Sequence, residues 1–453
     1  MCTHHDRSGR TCFTDHGADA ADLGPGESRA VGPGRRTLLT AAGAGGAGLL
    51  FSSITSPADA AGRARAGRLR SRRRAYVIVL DGCRPDEITS TLMPTTARLQ
   101  RNGHRFPRAR SMPVMETIPN HVMMMTGVRP DRNGVPANAI YDRDEGVVRE
   151  LDRPSDLRFP TLLQRMNRRG YTTGTVLSKD YLYGIFGTRA THRWEPAPII
   201  PVSGHAPDNF TMDATLAMIE EFDPHLVFVN LGNIDRLGHT DFTGTSLRLA
   251  RQAALLTTDM QVARLERELK GSGRWDDSLL LFLADHSMDW SLPNKVITLT
   301  DDVEADPFLA GRTVVAQNGG ADLVTWTGPE NARARAVRRI IALAEAQEGV
   351  LRAHDIRAEQ RRLHLGERGG DVLVYCKAGW RFSDPDPFAN PIPGNHGHPA
   401  TRPIPFFLSG GHPAVPRRRT TSRLVRTIDV APTVGDFFGM GAPRGGYDGT
   451  SRL

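Results

Sequence analysis

From Ala75 onward, short uninterrupted apolar runs alternate with stretches whose apolar positions recur every three or four residues. Ala75–Leu80 (AYVIVL), Leu226–Leu231 (LVFVNL) and Leu279–Ala284 (LLLFLA) are of the first kind, the pattern of strands covered on both faces. Leu255, Thr258, Val262, Leu265 and Leu269 are of the second kind and predict one face of a helix between the last two strands. Strand, helix, strand in that order predicts a parallel sheet with right-handed crossovers. The expected fold class is therefore α/β, with a mostly parallel central sheet flanked by helices. Over residues 295–370 the pattern changes. Ala321–Thr327 (ADLVTWT) is strand-like, and Val337, Ile340, Ile341 and Ala344 form a helical stripe. This stretch reads as a small α+β cap inserted over the sheet.

The strand ends carry the candidate chemistry, since open parallel sheets bind ligands at their carboxyl edge. AYVIVL runs into Asp81, LVFVNL runs through Gly232-Asn233-Ile234 into Asp235, and LLLFLA runs into Asp285-His286. A lone Asp after a strand is usually a turn or a helix cap, but two of these come with histidines attached. Asp81, Thr117, Asp285 and His286 form one candidate metal site; Asp235, His239 and His396 form a second. Mixed Asp/His ligation with an open position suits a catalytic zinc ion. Two such ions, about 3.5–4 Å apart, clamp the attacking and leaving oxygens of an in-line displacement. The i, i+4 spacing of Asp235 and His239 puts both on one face of a helix. Thr117 lies in METIPNHVMMMTG, at the mouth of a short apolar helix. Its plainest reading is a cap, with Pro119 tolerated near the start and Gly127 as the stop. Asn120 and His121 read as holding the helix start.

Charge narrows the partners. The net charge is +8, but residues 1–60 carry −1 and residues 61–74 carry seven arginines and no acid, which leaves +2 on residues 75–453. A nucleic-acid groove needs its charge on the folded body, so none is expected. Residues 1–60 read as an export leader: Arg35-Arg36, an apolar Ala/Gly-rich run to Ile54, and Ala58-Asp59-Ala60 as a cleavage site. The run is shorter than the roughly 20 residues that span a bilayer, so no stable membrane anchor is expected after cleavage and the protein is read as secreted by the twin-arginine route. Residues 61–74 are a basic linker. Only Cys83 and Cys376 fall in the body, which allows at most one disulfide. Oligomeric state is not legible.

Six motifs in order resemble the type I phosphodiesterase/nucleotide pyrophosphatase branch of the alkaline phosphatase superfamily. They are VLDGCRPD (Asp81), METIPNHVMMMTG (Thr117), GVPANAIYD (Asn138), IDRLGH (Asp235, His239), ADHSMDW (Asp285, His286) and GNHGHP (His396). Thr427–Thr433 is similar to that superfamily's closing helix. The resemblance implies an alkaline phosphatase-like catalytic domain over residues 75–453, two divalent ions, zinc by preference, and Thr117 as the nucleophile. It further implies a phosphothreonine intermediate hydrolysed by water, with the Asn138 amide donating to a non-bridging oxygen. The expected substrate is a small phosphodiester or pyrophosphate of nucleotide type.

Two divalent ions against Asp81, Asp235, Asp285 and a Thr117 alkoxide give a neutral site, which favours a mono-anionic diester. Leu177–Leu182 (LSKDYL) resembles the phosphonoacetate hydrolases, where lysine meets the substrate carboxylate. Lys179 would then select a carboxylated or otherwise anionic substrate, whereas Tyr181, Tyr183 and Phe186 could equally form a stacking wall for a nucleobase, core packing being the default for each. A phosphonate hydrolase is therefore the alternative, followed by a phosphomonoesterase and a non-catalytic metal-binding protein. A sulfatase is excluded: Cys83-Arg84-Pro85-Asp86-Glu87 ends in Glu where Arg is required.

Overall fold

The computed structural model describes residues 72–201, 203–241, 248–383 and 393–453. The leader expected over residues 1–60, and the linker up to residue 71, lie outside the described residues. The strands of the two main sheets are, in chain order, β1 (Arg74–Leu80), β2 (His104–Arg105), β3 (Thr173–Leu177), β4 (His192–Trp194), β5 (Leu226–Leu231), β6 (Ser278–Leu283), β7 (Thr313–Asn318), β8 (Ala321–Trp326), β9 (Val350–Asp355), β10 (Val372–Cys376), β11 (Phe406–Ser409) and β12 (Arg419–Thr420). The helices used below are α1 (Thr117–Thr126), α2 (Asp208–Phe222), α3 (Asn233–His239), α4 (Leu249–Gly271), α5 (Arg333–Ala346) and α6 (Val430–Phe437).

The central sheet has the order β12-β2-β11-β6-β1-β5-β3-β4. From β6 to β4 the strands run parallel, and β11 runs antiparallel to β6 and β2. The apolar runs of β1, β5 and β6 pair in register at its middle, Val79 lying between Asn230 and Leu283. Helices on both faces leave β5 and β6 wholly buried, which is why their sequences do not alternate. The stripe Leu255, Thr258, Val262, Leu265 and Leu269 is the buried face of α4. The mixed sheet with flanking helices matches the expected α/β class.

A second sheet, β7-β8-β10-β9, is antiparallel throughout. Val337, Ile340 and Ala344 of α5 pack on it in a separate apolar cluster. It covers most of residues 295–370, and its strand β10 lies beyond that range, because β8 needs β10 as its second partner. Cys83 and Cys376 are both buried and free. Among the described residues no helix is long and apolar enough to cross a membrane.

Helix α1 settles the cap reading. Its N-cap is Glu116, with no side-chain cap bond, and Thr117 is the first helical residue. Asn120 secures the approach instead: its Oδ1 accepts from Met112 N–H, and its amide points at the carbonyls of Met112, Val114 and Glu116. The Thr117 hydroxyl is thereby left for other work. The helix stops at Gly127, whose φ of 69° suits glycine and where a Cβ would press on the Tyr447 ring.

Candidate active site

All the candidate residues gather at the carboxyl edge of the parallel strands. Asp81 follows β1, Ser178-Lys179 follows β3, Asp235 and His239 lie on α3 just past β5, and Asp285-His286 follows β6. His396 arrives on the segment that pairs with Met115 through Gly397. Two backbone approaches make this convergence possible. At Gly82 (φ 70°) a Cβ would lie 3.1 Å from Asp235 Cα, and at Gly394 it would lie 2.4 Å from His239 Cα.

Asp81, Asp285 and His286 form one group and Asp235, His286 and His396 another, the ligand atoms of each lying within 4.8 Å of one another. His286 is shared, so the two expected sites are contiguous. Its Nε2 is 3.2 Å from Thr117 Oγ1, 3.3 Å from Asp285 Oδ2 and 3.8 Å from Asp81 Oδ1. His239 Nε2 lies 3.2 Å from Asp235 Oδ1, and His396 Nε2 lies 3.9 Å from it. The His286 and His396 rings stack with centroids 3.7 Å apart.

Hydrogen bonding fixes which atoms face inward. His286 Nδ1–H donates to the Ser287 carbonyl at 2.9 Å and His239 Nδ1–H to the Gly394 carbonyl at 2.8 Å, which frees both Nε2 lone pairs. Each carboxylate is held by one oxygen. Asp81 Oδ2 accepts from Asn230, Asp285 Oδ1 accepts from Gly82 N–H, and Asp235 Oδ2 accepts from Lys179. The other oxygens, Asp81 Oδ1, Asp285 Oδ2 and Asp235 Oδ1, are buried without a hydrogen-bond partner, as is His396 Nδ1. Buried polar atoms are rarely orphaned. Three carboxylate acceptors together fit cation ligation.

The electrostatics agree. Burial, and then Asp285, push the Asp81 carboxyl above its ordinary range; burial does the same for Asp285. Burial lowers the His286 imidazole to about 4 and holds His396 well below its usual value. Asp235 goes the other way: burial opposes its charge, but Lys179 and His239 hold its carboxyl low.

Lys179 is fully buried, not a surface lysine. Its Nζ lies 2.8 Å from both Asp81 Oδ2 and Asp235 Oδ2 and 3.4 Å from Thr117 Oγ1. Burial works against its charge, yet Asp235 and Asp81 prevail and raise its pKa. Tyr181 is half-buried, with Lys179 and Arg236 over its ring, whereas Phe186 belongs to the core. Asn138 Oδ1 accepts from Ile118 N–H at 2.8 Å, which turns its amide end to the mouth of α1. His398 is buried and bonded to Asp289, outside the cluster.

Three contributors escaped the sequence reading. Asn230 accepts from Ser178 Oγ and donates to Asp81 Oδ2 and His121 Nε2, while His121 Nδ1–H donates to the Thr117 carbonyl. That chain ties β1, β3, β5 and α1 together. Arg251, ion-paired with Glu87, donates to the carbonyls of Gly82 and Ile234 and so fixes the loops bearing Asp81 and Asp235. Arg236 is the third, and with Lys179 it was missing from the neutral charge count, which is corrected accordingly. Signals existed: Asn230 is the polar residue in LVFVNL, and Arg251 sits four residues before Leu255 on the apolar stripe.

A family model for type I phosphodiesterase/nucleotide pyrophosphatase matches residues 75–398. The chain belongs to that family. Its members are metal-dependent hydrolases of phosphoric esters. The chain is 22% identical over 394 residues to a bis(5'-adenosyl)-triphosphatase of Xenopus laevis, covering 82% of this chain and 79% of the relative. It is 21% identical to human ectonucleotide pyrophosphatase/phosphodiesterase family member 5, covering 79% and 73%. Among solved structures, murine ectonucleotide pyrophosphatase/phosphodiesterase 5 in complex with AMP superposes with a TM-score of 0.68 at 17% identity, over 82% of this chain and 96% of that one. Phosphonoacetate hydrolase of Sinorhizobium meliloti, in complex with phosphonoformate, gives 0.62 at 20% identity, over 81% and 94%.

Proposed function

We propose that this member of the family hydrolyses phosphodiester or pyrophosphate bonds of nucleotide-type substrates through a phosphothreonine on Thr117. The observation that carries the reading is the set of half-served carboxylates: three buried aspartates, each with one orphan oxygen, beside a threonine hydroxyl that caps nothing. In this reading Asp81, Thr117, Asp285 and His286 hold one divalent cation and Asp235, His239 and His396 a second. Zinc suits the mixed donors. Cations held there lower the pKa of the Thr117 hydroxyl and offset phosphoryl charge.

Thr117 Oγ1 attacks phosphorus, the leaving group departs, and water then hydrolyses the phosphothreonine. The Asn138 amide and the N-terminus of α1 donate to the non-bridging oxygens. Asn230 and His121 keep Asp81 and the start of α1 in register. Residues 1–60 direct export by the twin-arginine route, residues 61–74 link the leader to the catalytic domain over 75–453, and residues 295–370 form its cap. The names of the relatives, a dinucleoside triphosphatase and nucleotide pyrophosphatases, support the substrate class.

A second reading, hydrolysis of a phosphonate C–P bond, is favoured by one observation: Lys179 sits 3.4 Å from Thr117 Oγ1. Thr117→Ala tests the shared core. It is expected to lose turnover by about four orders of magnitude or more while elemental analysis finds its metal retained. Full activity in that variant would exclude Thr117 as the nucleophile, and no activity in the parent would leave a non-catalytic metal-binding protein. Faster turnover of p-nitrophenyl phosphate than of bis(p-nitrophenyl) phosphate would make it a monoesterase.

A further inference from the structure

Arg236 stands beside the proposed catalytic groups with no task in the reaction above. It follows Asp235 on α3, and its side chain is 11% exposed. One Nη donates to Tyr181 Oη at 3.0 Å, and the guanidinium carbon lies 5.7 Å from the Tyr181 ring centre. Its Nε is buried with no hydrogen-bond partner among the described residues, and the Asp235 carboxylate lies out of reach at 3.8 Å. A buried guanidinium with five N–H donors needs acceptors, and here a phenol oxygen serves one of them. Lys179 approaches the same ring, its Nζ 5.8 Å from the centre. Two cations thus flank one tyrosine next to the attacking hydroxyl.

Asp235, Asp81 and Glu150 all act on the Arg236 guanidinium, but none of them is hydrogen-bonded to its Nε. A planar guanidinium fork with a buried donor left unserved matches a carboxylate or phosphate.

We propose that Arg236, braced by Tyr181, is a specificity-determining residue that binds a second anionic group of the substrate, carried one or two bonds from the reacting phosphorus. The shared chemistry is an oxyanion: the next phosphate of a phosphoanhydride or the carboxylate of a phosphonocarboxylate. The proposal rests on the reading of Thr117 and the paired cations given above, and it replaces the expectation that a mono-anionic diester is preferred.

The test compares kcat/KM of the zinc-loaded wild type, Arg236→Gln and Arg236→Lys on diadenosine triphosphate, phosphonoacetate and bis(p-nitrophenyl) phosphate. The ratio of one of the two charged substrates to the diester is expected to fall at least about 30-fold in Arg236→Gln and less in Arg236→Lys, which keeps the charge but not the fork. Whichever ratio falls identifies the source of the anion. Loss of equal size on all three substrates overturns the proposal. A second arm needs no turnover: calorimetry on zinc-loaded Thr117→Ala with phosphonoacetate and with methylphosphonate. Phosphonoacetate is expected to bind at least about tenfold tighter, an advantage that Arg236→Gln removes. Equal affinities in the parent overturn the proposal. An enzyme that turns over no substrate yet keeps this binding preference sinks the hydrolase reading and leaves the anion site standing.

Discussion

Asp285 and Asp371 are both buried carboxylates, one at the edge of the central sheet and one at the start of β10 in the second sheet, and their surroundings are opposite. Asp371 is served on both oxygens: Oδ1 accepts from Arg333 Nε at 2.6 Å, and Oδ2 accepts from Trp326 N–H at 2.8 Å and Arg143 at 3.2 Å. Asp285 has one backbone N–H on Oδ1 and no hydrogen bond on Oδ2, where His286 Nε2 lies 3.3 Å away, and its charged neighbours are Asp81, Asp235 and Lys179. A buried acid completed by donors fastens structure. One left half-complete among like charges costs stability until a cation arrives.

The largest break in this comparison comes from Asp285→Asn. Removing a proposed ligand should cost more than removing a group behind one, so kcat/KM is expected to fall more than about 100-fold, with metal content down by elemental analysis. In chelated protein the same variant should match or exceed the parent in denaturant resistance, because a like charge is gone. Marked destabilisation of the chelated variant would end the contrast. Asp371→Asn is the mirror experiment. It removes the carboxylate at 2.6 Å from Arg333, leaving only Asp355 at 3.7 Å, and is expected to cost about 3 kcal/mol in denaturant unfolding, with turnover per folded molecule retained.

Asp208 sharpens the middle ground. It is buried, accepts from Thr258 Oγ1 and Asn233 N–H, and its carboxyl is pushed up to about 6 by burial. The native state then holds a proton that the unfolded chain releases near its ordinary value of 3.8. Stability is present below that value and falls as pH rises toward 6, by about 3 kcal/mol. Asp208→Asn is expected to flatten the stability profile between pH 4 and 6, and an unchanged slope would refute this effect.

Much of the site was legible because its residues end apolar runs. Asp81 and Asp285-His286 are conspicuous as the first polar groups after buried strands, and Asp235 follows its strand within one helical turn. The second sheet was legible in outline through Ala321–Thr327 and the α5 stripe, but its closing strand was not, since pairing of β8 with β10 joins segments separated by a whole helix and strand. Lys179 was singled out as a substrate-binding residue, but its full burial between Asp81 and Asp235 was not legible, because exposure is a property of what packs over a residue. Arg236 escaped for the same reason: adjacency to Asp235 in sequence says nothing of whether its guanidinium faces water or Tyr181.

The sequence alone determined the class of sheet, the strand ends that bear acids and a short helix near Thr117, since hydrophobic period and turn chemistry are local. Only the tertiary structure decided which oxygens stay unserved, that Asn230 and Arg251 brace the carboxylate loops, and that two cations join three aspartates at one edge. Those facts depend on distances between chain-distant atoms, and the charge balance of a site is the sum over whatever the fold brings within a few ångströms.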